Sequence, residues 1–367
     1  MLDTHAASVS TALAARVRAA VTAAGGWLPF DRFMAMALYE PDLGYYANAG
    51  RKFGLMPASG SDFVTAPELS PWFGRALAAQ VGEWLDATGS DEVWEFGAGS
   101  GALAAQLLET LGERVRCYTV IDVSTALRER QARTLAPWGA RVAWAERLPD
   151  AFDGVVLGNE VLDAMPVRLV RWDGNGWLER GVTLGSDTDW AYADRPCLRT
   201  PDIDPAQLIA GTVTEIHDQA HAFVATVAER LRRGVALLID YGFPAAEYYH
   251  PQRVGGTLMC HRAHRVDDDP LTELGLKDIT AHINFSAVAL AAQTACAQVI
   301  GYTSQAQFLL NCGLTDLLQD ADLRERNHAH KLLAEHEMGE LFKVIAFARD
   351  PELPARGFVR GDRTHRL

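Results

Sequence analysis

From residue 93 onward, short β-branched runs alternate with longer stretches of helical period. The strands are predicted at 93–96, 116–122, 141–145, 154–158 and 235–240, and the first two crossover helices at 102–111 and 125–135. Alternation of this kind specifies parallel strands joined by helices. The runs V-V-L at 155–157 and V-A-L-L-I at 235–239 contain no polar residue, as expected of central strands covered on both faces. A last apolar run, 342–348, predicts a closing strand. The fold class expected is α/β, a doubly wound and mostly parallel sheet.

Three segments stand outside that repeat. Leu13, Val17 and Val21 recur at helical spacing, so the chain is expected to start with an amphipathic helix that stops at Gly25-Gly26. A Gly/Pro-rich stretch follows at 41–71. The segment 167–184 reads as a hairpin turning at Asp173-Gly174-Asn175-Gly176, with a polar insertion after it to about residue 210. The third segment, 243–276, carries Pro, His and a D-D-D-P turn. The expected division is an N-terminal helical and loop region, 1–90, forming a lid, and a Rossmann-like domain, 91–367, interrupted at about 167–210 and 243–276. Such insertions sit at the rim of a sheet and shape access to it.

Composition narrows the function. The 367 residues are 49% hydrophobic and 22% charged, which suits a folded globular chain and not a disordered one. A net charge of -13 argues against a nucleic-acid partner, since neutralising phosphates needs a Lys/Arg-rich face; a basic partner fits better. The 5 cysteines are odd in number and form no C-x-x-C pair, so reduced thiols and a cytoplasmic location are expected. The longest nearly uncharged run, 283–315, is interrupted by Asn284, Gln293, Thr294, Gln298 and Gln305, so no membrane insertion is expected.

The strongest chemical signal is E-F-G-A-G-S-G, formed by Glu95, Phe96, Gly97, Ala98, Gly99, Ser100 and Gly101, at the end of the first strand and the start of a helix. Three glycines there allow close ligand approach to the free N–H groups of a helix N-terminus. The same residues satisfy the dinucleotide pattern G-x-G-x-x-[GA], so a nicotinamide cofactor and an NAD-dependent oxidoreductase are the competing reading. Glu95 tips the choice. The E-x-G-x-G-x-G form resembles the loop of S-adenosylmethionine-dependent methyltransferases, where the acid can face the methionine amino group; beside a pyrophosphate it would be a poor neighbour. Asp122, followed by Val123, ends the second strand, where a carboxylate accepts hydrogen bonds from ribose hydroxyls in either class.

A second signal, G-N-E-V-L-D-A-M-P at 158–166, follows the fourth strand. It places Asn159 and Glu160 outside the carboxyl edge of the sheet, in the crevice where such folds bind ligands. This motif resembles the hallmark of the MidA-like family, whose mitochondrial members are arginine methyltransferases acting in respiratory complex I assembly. Y-E-P-D-L-G-Y-Y (39–46), D-F-V-T-A-P-E-L-S (62–70), I-D-Y-G (239–242), I-T-A-H-I-N-F (279–285) and M-G-E-L-F-K (338–343) agree with it in order and spacing. The loop departs from the mitochondrial members at Ala98 and Ser100, where they carry Pro and Arg, so the resemblance bears more on the cofactor than on the acceptor. It implies a class I methyltransferase fold using S-adenosylmethionine, with a protein arginine, such as one on a complex I subunit, as acceptor. A non-catalytic assembly factor on the same fold is a third reading.

An arginine acceptor calls for carboxylates, because its guanidinium stays protonated when free and presents a rigid donor fork. Glu160 is the first candidate for that clamp, with Asp163, Asp240 and Glu68 behind it. Thr65, Pro67 and Glu68 belong to a segment, 62–70, that is placed to close over the cofactor, and Tyr241 is expected just past its strand, facing the acceptor pocket or the sulfonium. His217 and His221, and separately Cys260, His261 and His264, raise a zinc site. No acidic ligand stands at motif spacing, so surface histidines and no metal are expected.

Overall fold

The computed structural model describes residues 4–48, 64–122, 124–185, 189–262, 265–350 and 352–367. The chain begins with α1 (Thr4–Ala23), β1 (Leu28–Pro29) and α2 (Phe30–Tyr39), and continues after α3 (Ala66–Leu69) and α4 (Pro71–Thr88) into the repeat read from the sequence. That repeat runs β2 (Glu92–Phe96), α5 (Ala102–Leu111), β3 (Cys117–Ile121), α6 (Thr125–Leu135), β4 (Val142–Ala145) and β5 (Phe152–Asn159). An insertion supplies β6 (Arg168–Trp172), β7 (Trp177–Leu184), β8 (Trp190–Pro196) and β9 (Val213–Ile216) before α7 (Asp218–Arg230) and β10 (Leu231–Phe243) resume the repeat. A second insertion holds α8 (Ala245–Tyr248), β11 (Met259–Arg262), β12 (Arg265–Asp267), β13 (Asp278–Thr280) and β14 (Ile283–Asn284). The chain closes with α9 (Phe285–Thr294), β15 (Gln298–Ser304), α10 (Gln305–Asn311), α11 (Leu314–Leu317), α12 (Leu323–Leu333) and β16 (Phe342–Ala348).

The main sheet has the order β15-β16-β10-β5-β2-β3-β4, with β14 beside β10. Strands β4, β3, β2, β5 and β10 are mutually parallel, and β16 is antiparallel to both β10 and β15. This is the doubly wound, mostly parallel α/β sheet the alternation predicts. Side chains alternate across it. Val155, Leu157, Val235, Leu237 and Ile239 pack under α4 and α5, while Val156, Ala236, Leu238, Ile345 and Phe347 pack under α7 and α9. Each such buried side chain contributes on the order of 2 kcal/mol, which is why the runs 155–157 and 235–239 carry no polar residue.

Eight strands, β1, β8, β9 and β11 to β15, escaped the sequence reading. β15 lies at an edge of the sheet, and β8 pairs with β7 in a segment read as a polar insertion. The turn of the β6–β7 hairpin is as expected: the Asp173 carboxylate accepts from Asn175 N and Gly176 N, both at 2.8 Å. The hairpin does not stand alone, because β1, β8 and β9 complete a five-stranded sheet with it.

The N-terminal residues and the two insertions, separate in sequence, share one core. Leu13, Val17 and Val21 of α1 and Phe33 and Met34 of α2 pack with Leu169 and Val182 of the first insertion and with Cys260 and Ile279 of the second. None of the three segments is large enough to bury its apolar face by itself. Helix α4 lies elsewhere, packed on the main sheet through Phe73, Leu77, Val81 and Trp84. Ser70 caps it, accepting from Trp72 N, and Gly89 ends it in the left-handed conformation.

Candidate active site

A cavity of about 1280 Å³ opens at the carboxyl edge of β2, β3, β5 and β10. Single small-molecule sites run to roughly 300–1,000 Å³, so there is room for a cofactor and part of a second reactant. The glycine loop forms one wall. Gly97, Gly99 and Gly101 all have positive φ, at 60°, 54° and 84°, the region that glycine enters without a steric cost. A Cβ on Gly97 would also press to 3.2 Å on Val161. Phe96, Gly97, Ala98, Gly99 and Ser100 line the cavity.

Glu95 stands beneath that loop, 2% exposed, and accepts a hydrogen bond from the Tyr118 hydroxyl at 2.8 Å. Burial pushes its carboxyl up to about 8, against the pull of Tyr118. Asp122 directly follows β3, and its Oδ1 accepts from Ser124 N at 2.9 Å. Ser124, not Asp122, caps α6, accepting from Leu127 N, which leaves the aspartate for a ligand role. Val123 lies outside the described residues, as do Asp62 and His264. Thr65, Pro67 and Glu68 line the cavity from α3 and its N-cap. Glu68 is paired with Arg130 at 3.6 Å, so it holds α3 against α6.

The motif after β5 forms the other end. Glu160 has φ 54°, costly for a residue with a side chain, and its N–H donates to Ile239 O at 2.8 Å. Its carboxylate accepts from Asn159 Nδ2 at 3.0 Å, and both residues line the cavity. Burial, with the nearby Asp163 and Asp278 charges adding, pushes Glu160 up to about 8. Asp163 accepts from the Tyr241 hydroxyl and from Ala164 N; burial pushes it up to about 6. Tyr241 lies inside β10, two residues before its end, and its ring meets Phe342 edge-on at 5.4 Å.

Asp240 corrects an expectation. It was a candidate for the acceptor clamp, but its side chain turns away from the cavity. Oδ2 accepts from Leu162 N at 2.9 Å and Asp163 N at 3.2 Å, and Oδ1 from Tyr241 N at 2.9 Å. The residue is fully buried, and that burial holds its carboxyl well above the ordinary range. Asp240 shapes the loop that carries Glu160 and Asp163.

Residues far away in sequence complete the pocket. Tyr39 and Tyr46 stack at 5.6 Å. Tyr39 donates to Ala164 O at 2.9 Å, and Tyr46 donates to the Asp278 carboxylate at 2.9 Å. Ser124 Oγ donates to Tyr46 O at 3.0 Å, so this turn touches both ends of the cavity. Sequence reading singled out the 39–46 segment only through its resemblance, and it passed over Asp278. The acidic lining residues Glu160, Asp163 and Asp278 therefore gather at one end, with Tyr39, Tyr46 and Tyr241. The lining arginines, Arg147 and Arg230, stand after β4 and at the end of α7.

Of the histidines raised for a metal, His217 serves structure, while His261 lines the cavity. His217 is buried, bonds Tyr248 Oη through Nε2 at 3.1 Å, and is pushed down to about 3 by burial. The surface position expected for it was wrong, because it belongs to a buried network with Glu215. Among the described residues no group of three or more His, Cys, Asp or Glu side chains could hold a metal.

These residues fit an adenosyl amino acid. Asp122 could take the ribose hydroxyls, the loop N–H groups the amino-acid carboxylate, and Glu95 its ammonium. The family model described as "Putative S-adenosyl-L-methionine-dependent methyltransferase" matches residues 76–303. A COG1565 superfamily member from Burkholderia thailandensis, crystallised with S-adenosyl-homocysteine bound, is 50% identical with a TM-score of 0.96, the match covering 100% of this chain and 99% of that one. A second crystallised COG1565 superfamily protein from that organism is 48% identical, with a TM-score of 0.92 over 100% and 99% of the two chains. The protein arginine methyltransferase NDUFAF7 of Danio rerio is 27% identical over 91% of this chain and 86% of its own length. The Caenorhabditis elegans homologue is 26% identical over 88% and 83%. The nicotinamide reading of the glycine loop falls with these matches, and the chain belongs to the family of S-adenosyl-L-methionine-dependent methyltransferases.

Proposed function

We propose that the methyl acceptor is an arginine side chain of a protein. The observation that carries this reading is the clustering of Glu160, Asp163 and Asp278 on the cavity wall, near enough for the charges of Asp163 and Asp278 to act on Glu160. A guanidinium offers five N–H donors in a planar fork and is matched by carboxylates more fully than any other acceptor side chain. The curated relatives named protein arginine methyltransferases support it. A subunit of respiratory complex I as the acceptor protein, and a cytoplasmic site of action, are further proposals. The first is supported by the family resemblance and the second by five free cysteines.

S-adenosylmethionine supplies an electrophilic methyl on a sulfonium, and the rest falls to the protein. Glu160 and Asp278 orient the guanidinium, and the tyrosine rings exclude water around it. With that cofactor bound, Glu160 in its ionised form would accept the proton that the guanidinium nitrogen sheds on methylation. A carboxyl whose pKa stands near 8 is matched to that task. The N-terminal turn and the second insertion, through Met259, His261 and Asp278, cover this end, and the first insertion packs behind them.

The test is transfer of labelled methyl to arginine-containing peptides and proteins, followed by mass spectrometry of the acceptor residue. Native protein is expected to label arginine. Glu160→Gln is expected to keep its affinity for S-adenosylhomocysteine within about twofold while losing roughly a hundredfold or more in transfer. Labelling on another residue type would overturn the arginine reading, and bound cofactor with no transfer to any protein would favour the assembly-factor reading.

A further inference from the structure

Gln131 is fully buried in α6, and nothing in the sequence marks it. Its amide makes three hydrogen bonds. Oε1 accepts from Trp144 Nε1 at 3.1 Å, while Nε2 donates to Asp122 Oδ2 at 2.8 Å and to Gly99 O at 3.2 Å. An indole N–H only donates, and an ionised carboxylate and a carbonyl only accept. The amide therefore has one satisfied orientation; turned over, it would set donor against donor and acceptor against acceptor. Trp144 on β4 fixes which way the amide faces, and the amide fixes the two groups below it.

Those two groups belong to the cofactor site. Asp122 and Gly99 come from different βα units, and the Gln131 side chain bonds both. An ionised carboxylate accepts up to about four hydrogen bonds, and Gln131 with Ser124 N sets the direction in which this one points. Arg128 secures the same residue from the backbone side, donating to Asp122 O from Nε at 3.0 Å and Nη2 at 2.8 Å. A glutamine needed only to join α6 to the sheet could have been satisfied by backbone groups of one strand.

We propose that Gln131 is a positioning residue for the ribose of the S-adenosyl ligand. It holds the Asp122 carboxylate at a set angle to the glycine loop, so the ribose hydroxyls and the chain beyond C5′ meet their partners together. The proposal rests on the reading that Asp122 takes the ribose hydroxyls.

The test is calorimetric binding of S-adenosylhomocysteine and of its 2′,3′-dideoxyribose analogue to the full-length native protein and to Gln131→Leu, Trp144→Phe and Asp122→Asn. Native protein is expected to prefer the hydroxylated ligand. In Gln131→Leu that ligand is expected to bind about tenfold more weakly while the analogue changes by less than about twofold, so that the preference collapses. Trp144→Phe, at a half-buried site on an edge strand, frees the amide to turn and is expected to lose preference in the same direction; it carries the test if Gln131→Leu does not fold. Equal weakening of both ligands, or no weakening, would overturn the proposal. Asp122→Asn separates the two failures: if it too leaves the preference intact, the ribose reading of Asp122 is wrong, and if it alone abolishes the preference, only the role of Gln131 is.

Discussion

Replacing Glu95 with glutamine removes a titrating group from beneath the glycine loop while keeping its shape and the hydrogen bond accepted from Tyr118. In the native protein, burial raises this carboxyl from its ordinary 4.5 to about 8, so at pH 7 it is roughly nine-tenths protonated. An amino-acid ammonium brought beside it favours the carboxylate. Binding of S-adenosylhomocysteine at pH 7 should then release about 0.9 proton, and affinity should rise about ninefold from pH 6 to 7 and level off above about 8. Calorimetry in two buffers of different ionisation enthalpy measures the proton release directly. Glu95→Gln should bring it close to zero and flatten the pH profile. The same group bears on folding. Its pKa is raised in the native state, so its stabilising contribution is complete below 4.5 and is lost as pH rises through about 8. At about 1.4 kcal/mol per pH unit, that loss is of the order of 5 kcal/mol, and denaturant titrations of Glu95→Gln should lack it. Proton release that persists unchanged in Glu95→Gln, or a native affinity that is flat between pH 6 and 8, would refute the reasoning.

Other expectations follow from the same geometry. Gly99→Arg places a side chain at φ 54° on the wall of the cavity; titration should show S-adenosylhomocysteine binding abolished, with the circular dichroism of the fold retained. Asp240→Ala strips the acceptor from the N–H groups of Leu162, Asp163 and Tyr241, and chemical denaturation should register a loss of about 3 kcal/mol. Tyr248→Phe breaks the hydroxyl bonds to Glu215 and His217 and should cost about 2 kcal/mol by the same measurement, with cofactor affinity unchanged. Methyl transfer should increase from pH 6 to 8 as Glu160, raised to about 8 by burial, gains its charge. Glu160→Gln should remove that rise from a pH–rate profile.

The central strands and the glycine loop were legible because their signals are local. An unbroken V-V-L or V-A-L-L-I run and three glycines at a strand end fix what the backbone does there. The acceptor end was less so, since Tyr46 and Asp278 meet across 232 residues of chain, and neither carries a mark of that meeting. Asp240 shows a different limit. A carboxylate at the carboxyl end of a strand reads the same whether it faces a ligand or turns back to cap loop amides, and only the direction of its side chain decides. His217 failed likewise: its partner Tyr248 lies in an insertion with no periodic pattern.

The loop bearing Glu160 and Asp163 takes its shape from Asp240, through main-chain N–H groups that every residue except proline possesses. Frame and contact surface are thereby assigned to different residues. Over evolutionary time such a loop can exchange the side chains it shows to an acceptor without being refolded, provided the aspartate behind it stays. Divergent acceptor preferences among descendants of this scaffold would then be written at positions 160, 163 and 278, while position 240 stays fixed.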